Sequence, residues 1–156
     1  MKKQLKLTLL SCLLSIPAIT QAGPKDDIYR KGWIDFNKNG KMDIYEDPSA
    51  PIEERVKDLL SQMNMDEKTC QMATLYGSGR VLADALPTEK WKSEIWKDGI
   101  GNIDEEHNGL GKFGSEYAFP YAKHVKAIHD IQRWFVEETR LGIPVDFTNE
   151  GIRGVC

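Results

Sequence analysis

Asp35, Asn37, Asn39, Asp43 and Glu46 place side-chain oxygens at the first, third, fifth, ninth and twelfth positions of one twelve-residue stretch, with Gly40 at the sixth. The run Asp35-Phe36-Asn37-Lys38-Asn39-Gly40-Lys41-Met42-Asp43-Ile44-Tyr45-Glu46 fits D-x-[DN]-x-[DN]-G-x5-E at every fixed position. The spacing has a physical reason. Oxygens at positions one, three and five converge on an ion, and glycine permits the sharp turn. Lys41 at position seven lends its backbone carbonyl, Asp43 acts through water, and Glu46 can bind with both oxygens. Calcium is the expected ion. Two neutral amides among the ligands point to the weak range of extracellular modules, ~10⁻⁴–10⁻³ M. Asp47-Pro48 stops a helix after Glu46 and Gly32 interrupts the incoming segment, so the loop is expected to be a structural clip rather than a sensor hinge.

A second candidate lies near the end of the sequence. Ile143, Val145 and Phe147 form an apolar run that leaves through Asn149, Glu150 and Gly151, and read as a parallel-type strand. Glu150 then stands at the strand's C-terminal end, where α/β sheets and barrels bind ligands. Other residues carry less. Asp104-Glu105-Glu106 reads as a solvated charged turn, because sequence neighbours rarely flank a bond as paired glycosidic carboxylates must. His107, His124 and His129 lack metal-ligand spacing. Trp134 reads as core, while Trp91 and Trp96 could pack inside or stack on sugar rings.

The elements that must position these groups are α/β in pattern. Pro51 to about Met63 is predicted helical, with Val56, Leu59, Leu60 and Met63 on one face. Asn64 and Glu67 form a capping box that opens a second helix through about Leu75. Gly77 to about Tyr121 reads as irregular, with a short helix around Glu89–Lys97. Ala122 to Arg140 is amphipathic through Val125, Ile128, Ile131 and Phe135, and the Leu141-Gly142 link leads into the strand. No internal repeat is visible.

The first 22 residues read as an export signal: Lys2, Lys3 and Lys6, an apolar run from Leu7 to Ile19, and small residues before Ala22. A lipid attachment at Cys12 is the rival reading, although the apolar run continues past it. The expected location is therefore periplasmic or secreted, with no membrane contact unless Cys12 is lipidated. The chain carries 24 acidic against 21 basic residues, and cleavage would remove three lysines. That balance argues against nucleic acid as a partner. Cys70 and Cys156 are expected to be unpaired thiols. The three regions are thus residues 1–22, a calcium-loop segment over 23–48, and an α/β segment over 49–156. A closed eight-stranded barrel needs roughly 250 residues, so the last region reads as the opening of a larger protein.

Two stretches carry a family resemblance. Glu54 to Lys68 (ERVKDLLSQMNMDEK) with Gln71-Met72, and Gly142 to Gly154 (GIPVDFTNEGIRG), resemble glycoside hydrolase family 3. The first is similar to its opening helix pair, the second to an early barrel strand and loop. The resemblance implies the N-terminal helices and first strand of an incomplete TIM-like (β/α) barrel domain, and retaining hydrolysis of terminal β-linked glucosides or xylosides. It implies that Glu150 accepts hydrogen bonds from hydroxyls of the terminal sugar of a carbohydrate substrate. It also implies that the nucleophile and acid/base lie beyond Cys156, so no catalytic residue is assigned here and no organic cofactor is expected. The family's sugar-binding Lys-His pair follows this strand, whereas Lys123-His124 precedes it and does not inherit that role. The alternatives from other classes are a non-catalytic calcium-dependent binding module and a small structural domain.

Overall fold

The computed structural model describes residues 27–77, 81–82, 84–93, 97–106, 117 and 119–149. The described residues start with a two-stranded antiparallel ribbon, β1 (Tyr29–Arg30) and β2 (Trp33–Ile34), turned by Gly32 at φ 88°. The loop over residues 35–46 ends in a 3₁₀ turn, Ile44–Glu46. Two helices follow, α1 (Ile52–Gln62) and α2 (Met65–Gln71). Then come β3 (Thr74–Tyr76), a 3₁₀ turn at Glu89–Ser93, β4 (Asn102–Asp104), helix α3 (Tyr121–Glu138) and β5 (Asp146–Thr148).

Strands β3, β4 and β5 form one parallel sheet in that order, with Leu75, Ile103 and Phe147 in register. Each strand reads polar–apolar–polar, so its middle residue faces one side and its ends the other. The apolar side packs on α3. Ile103, Ile131, Phe135 and Trp91 are fully buried there with Trp134 and Val145, and Leu75 and Phe147 lie against them. Trp134 meets Trp91 and Phe135 edge-on at 5.5 and 5.3 Å between ring centres. The opposite side carries Tyr76, Asn102, Asp104, Asp146 and Thr148.

α1 matches its predicted span, and Asn64 caps α2 as expected. Asn64 Oδ1 accepts from the Glu67 N–H at 2.8 Å, and the Glu67 carboxylate accepts from the Asn64 N–H at 2.9 Å. The second helix was expected to run to Leu75 but ends at Gln71, because Thr74-Leu75-Tyr76 pairs with β4 instead. The stretch expected to be irregular supplies β4, whose entry needs glycine: a Cβ on Gly101 would lie 2.2 Å from the Gln71 carbonyl oxygen. One strand was expected; the described residues hold five, three of them in the parallel sheet. Trp91 is core rather than a sugar platform, while Trp96 lies outside the described residues. The apolar side of β5 is covered by α3. The apolar face left open is on α1, where Ile52, Val56 and Leu60 are exposed. Among the described residues no helix is long and apolar enough to cross a membrane, and Cys70 is a free thiol.

Candidate functional site

Two places in this fold concentrate polar chemistry, and they lie at opposite ends of the parallel sheet. A seven-residue link joins the end of α3 at Glu138 to β5, so residues 136–145 mark the end of the sheet where strands start. Thr148, Asp104 and Tyr76 mark the end where they finish.

The oxygen-rich loop sits at the starting end. Asp35, 2% exposed, accepts from the Asn39 N–H at 3.0 Å and the Gly40 N–H at 2.8 Å, with Arg30 at 3.6 Å. Gly40 adopts φ 78°, the left-handed turn its type was expected to allow. Glu46, also 2% exposed, bridges the loop by accepting from the Asn37 N–H at 3.2 Å and the Asp43 N–H at 3.0 Å. Asp43 Oδ2 accepts from the side-chain amides of Asn37 at 2.5 Å and Asn39 at 2.7 Å. Lys41 contributes its N–H to Asn39 Oδ1 at 2.7 Å.

All six expected ligand positions therefore fall in one closed turn, carrying three carboxylates. Burial, and then the charges of Glu46, Asp43 and Asp35, hold the Tyr45 phenol well above its ordinary range. The donors are oxygens throughout, which suits a hard cation. Among the described residues no group of three or more His, Cys, Asp or Glu side chains is placed to hold a metal ion. Here the loop satisfies Asp43 with the two asparagine amides. A cation would replace those donors, and turning each amide over would present its oxygen instead. The flanks are a β-ribbon and a 3₁₀ turn, not two helices.

The finishing end carries hydroxyls and carboxylates on the open side of the sheet. Thr148 Oγ1 lies 2.8 Å from Asp104 Oδ1 and 3.2 Å from Asn102 Oδ1, and the Asn102 amide reaches Asp146 at 3.5 Å. Tyr76 donates to the Glu105 carboxylate. Glu105 turns the chain at φ 53°, and its N–H donates to the Thr148 carbonyl at 2.9 Å. Asp104-Glu105-Glu106 is therefore not a solvated turn: Asp104 belongs to β4, and Glu106 is only 5% exposed. A cavity of about 360 Å³ opens between α3 and the end of β5, lined by Glu106, His124, Val125, Phe147, Thr148 and Asn149 among others. His124 Nδ1 is buried there without a hydrogen-bond partner among the described residues.

Glu150 lies outside the described residues, one position past Asn149, as do His107, Arg153 and Cys156. Sequence reasoning passed over Tyr76, Asn102, Asp146 and Thr148, and set Asp104 aside as part of a charged turn. The signal that could have found them is the short polar–apolar–polar alternation of Thr-Leu-Tyr, Asn-Ile-Asp and Asp-Phe-Thr.

No family model matches the chain. Over 114 residues, 71% of its length, the chain is 32% identical to a protein of Formosa agariphila named "Putative beta-xylosidase". The chain spans 14% of the length of that relative. The chain is thus similar to part of a protein named as a glycoside hydrolase.

Proposed function

We propose that the chain is the N-terminal part of an exported glycoside hydrolase of the family 3 type, acting with retention on terminal β-linked xylosides or glucosides. The similarity to the Formosa protein carries this reading, since it extends over most of the chain. The fold is consistent with it. Three parallel strands in sequential order, with α3 on one side and polar residues on the other, have the layout of an opening barrel arc. Glu150 would follow β5 directly and offer an acceptor to sugar hydroxyls at the finishing end. A retaining mechanism needs two carboxyl groups about 5–5.5 Å apart across the scissile bond. Those would come from chain beyond Cys156, so residues 23–156 alone are expected to be inactive.

Calcium would be held by Asp35, Asn37, Asn39, Asp43 and Glu46 with the Lys41 carbonyl, at the end of the sheet away from the sugar. There it would supply charge neutralisation and rigidity and take no part in bond cleavage. Residues 1–22 would direct export to the periplasm or beyond, and lipid at Cys12 would be the one route to a membrane.

The test is to express the chain with and without its downstream coding sequence and assay β-xyloside and β-glucoside hydrolysis. Activity confined to the longer protein, and lowered by Glu150→Ala, is the expected result. Activity from residues 23–156 alone, or a downstream sequence without a strand-end aspartate, would refute the assignment.

A further inference from the structure

We propose that Lys38 is a positioning residue that carries the effect of calcium binding from the loop to the α3–β5 junction. This rests on the calcium reading of the loop given above.

Lys38 is the fourth residue of the loop, between two expected ligands, Asn37 and Asn39. Its backbone is left-handed at φ 60°, a conformation a long side chain adopts only when its surroundings hold it there. The side chain shows what does so. Its ammonium donates to the carbonyls of Phe36 at 2.7 Å, Val136 at 2.9 Å and Thr139 at 2.5 Å. The first lies in the loop; the other two belong to the end of α3. A helix end leaves its last carbonyls without intrahelical donors, and the helix dipole makes that end negative. Helix α3 has no basic residue in its own last turn. Lys38 therefore supplies the missing cation and donors from about a hundred residues away.

The backbones are equally close. Gly142 adopts φ 57°, and a Cβ there would lie 2.6 Å from the Phe36 carbonyl oxygen and 2.9 Å from that of Val136. Tyr45, one residue before Glu46, reaches the Leu141 carbonyl at 3.5 Å. Four residues past Gly142 the strand begins, and the Asp146 N–H bonds the Gly101 carbonyl at 3.1 Å. An ion that fixes Asn37 and Asn39 fixes the backbone on both sides of Lys38, and with it the ammonium that closes α3. The side chain of Lys38 is not itself a ligand, so binding and transmission are separable.

The experiment is hydrogen exchange of the full chain with and without calcium, paired with calorimetric calcium titration, for the native protein, Lys38→Met and Lys41→Met. In the native protein calcium slows exchange in the loop and also at residues 139–148. In Lys38→Met calcium still binds within about threefold of the native affinity, but the slowing at 139–148 falls by roughly tenfold while that in the loop persists. Lys41→Met, with only its backbone in the site, behaves as native. Equal slowing at 139–148 in Lys38→Met would overturn the proposal, as would loss of calcium binding in that variant while folded. If Lys38→Met does not fold, the native protein decides alone: protection confined to residues 35–46 overturns the transmission. No calcium heat in the native protein at millimolar ion overturns the calcium reading and the transmission with it.

Discussion

The two ends of the β3–β4–β5 sheet are built in opposite ways. At the starting end, polar groups from three segments close around residues 136–142: Lys38 and Tyr45 from the loop, the Gln62 carbonyl at the end of α1, and Glu67 from α2. At the finishing end, the polar groups stand side by side on an open face, beside a cavity lined by Glu106 and the end of β5. A folded chain gains stability where its polar groups are mutually satisfied and can bind where they are presented but not consumed. On that basis the starting end is the anchor, and the finishing end is the end we propose for a ligand.

The largest effect that should sharpen this comparison is Asp35→Ala. It removes the buried carboxylate that accepts from the Asn39 and Gly40 N–H groups, and unfolding by urea should show a loss of about 1.5–3 kcal/mol. A loss under 1 kcal/mol would mean the loop is not an anchor.

Next comes Arg140, which donates to both oxygens of Glu67 and to the Gln62 carbonyl. Burial alone would raise the Glu67 pKa, but the Arg140 guanidinium and the Asn64 N–H outweigh it and hold it below the usual carboxylate range. Its stabilisation is therefore full above the unfolded value near ~4.3 and is lost as pH falls through the depressed folded value. Arg140 is half exposed, so Arg140→Ala should cost about 1–3 kcal/mol at neutral pH, less than a fully buried pair. The melting temperature of Arg140→Ala should also fall less steeply than the native one below about pH 4. Parallel acid profiles would remove Glu67 from the anchor.

The smallest effect belongs to the finishing end. Thr148→Val removes a hydroxyl from an exposed face and should change stability by no more than about 1 kcal/mol. A loss as large as that of Asp35→Ala would erase the contrast between the ends.

These ends were unequally legible in the sequence. The loop's polar residues are close in sequence and joined by local turn chemistry, so the turn that Asp35, Asn37, Asn39, Asp43 and Glu46 close could be read directly. The capping box at Asn64 and Glu67 was legible for the same reason. Strands β3 and β4 were not. Three residues give too little alternation to outweigh the helical pattern running into Leu75, and they become strands only because each pairs with a neighbour far along the chain. The role of Lys38 was hidden too. Its partners at Val136 and Thr139 are backbone carbonyls, which leave no mark on residue type.

If the loop acts on stability and the strand end on sugar, calcium should leave KM unchanged. The longer protein would be assayed for β-xyloside hydrolysis with calcium and with chelator, well below its melting temperature. The account predicts a lower melting temperature on chelation with KM unchanged. A rise in KM on chelation while the protein remains folded would contradict it, because the ion would then belong to the sugar site.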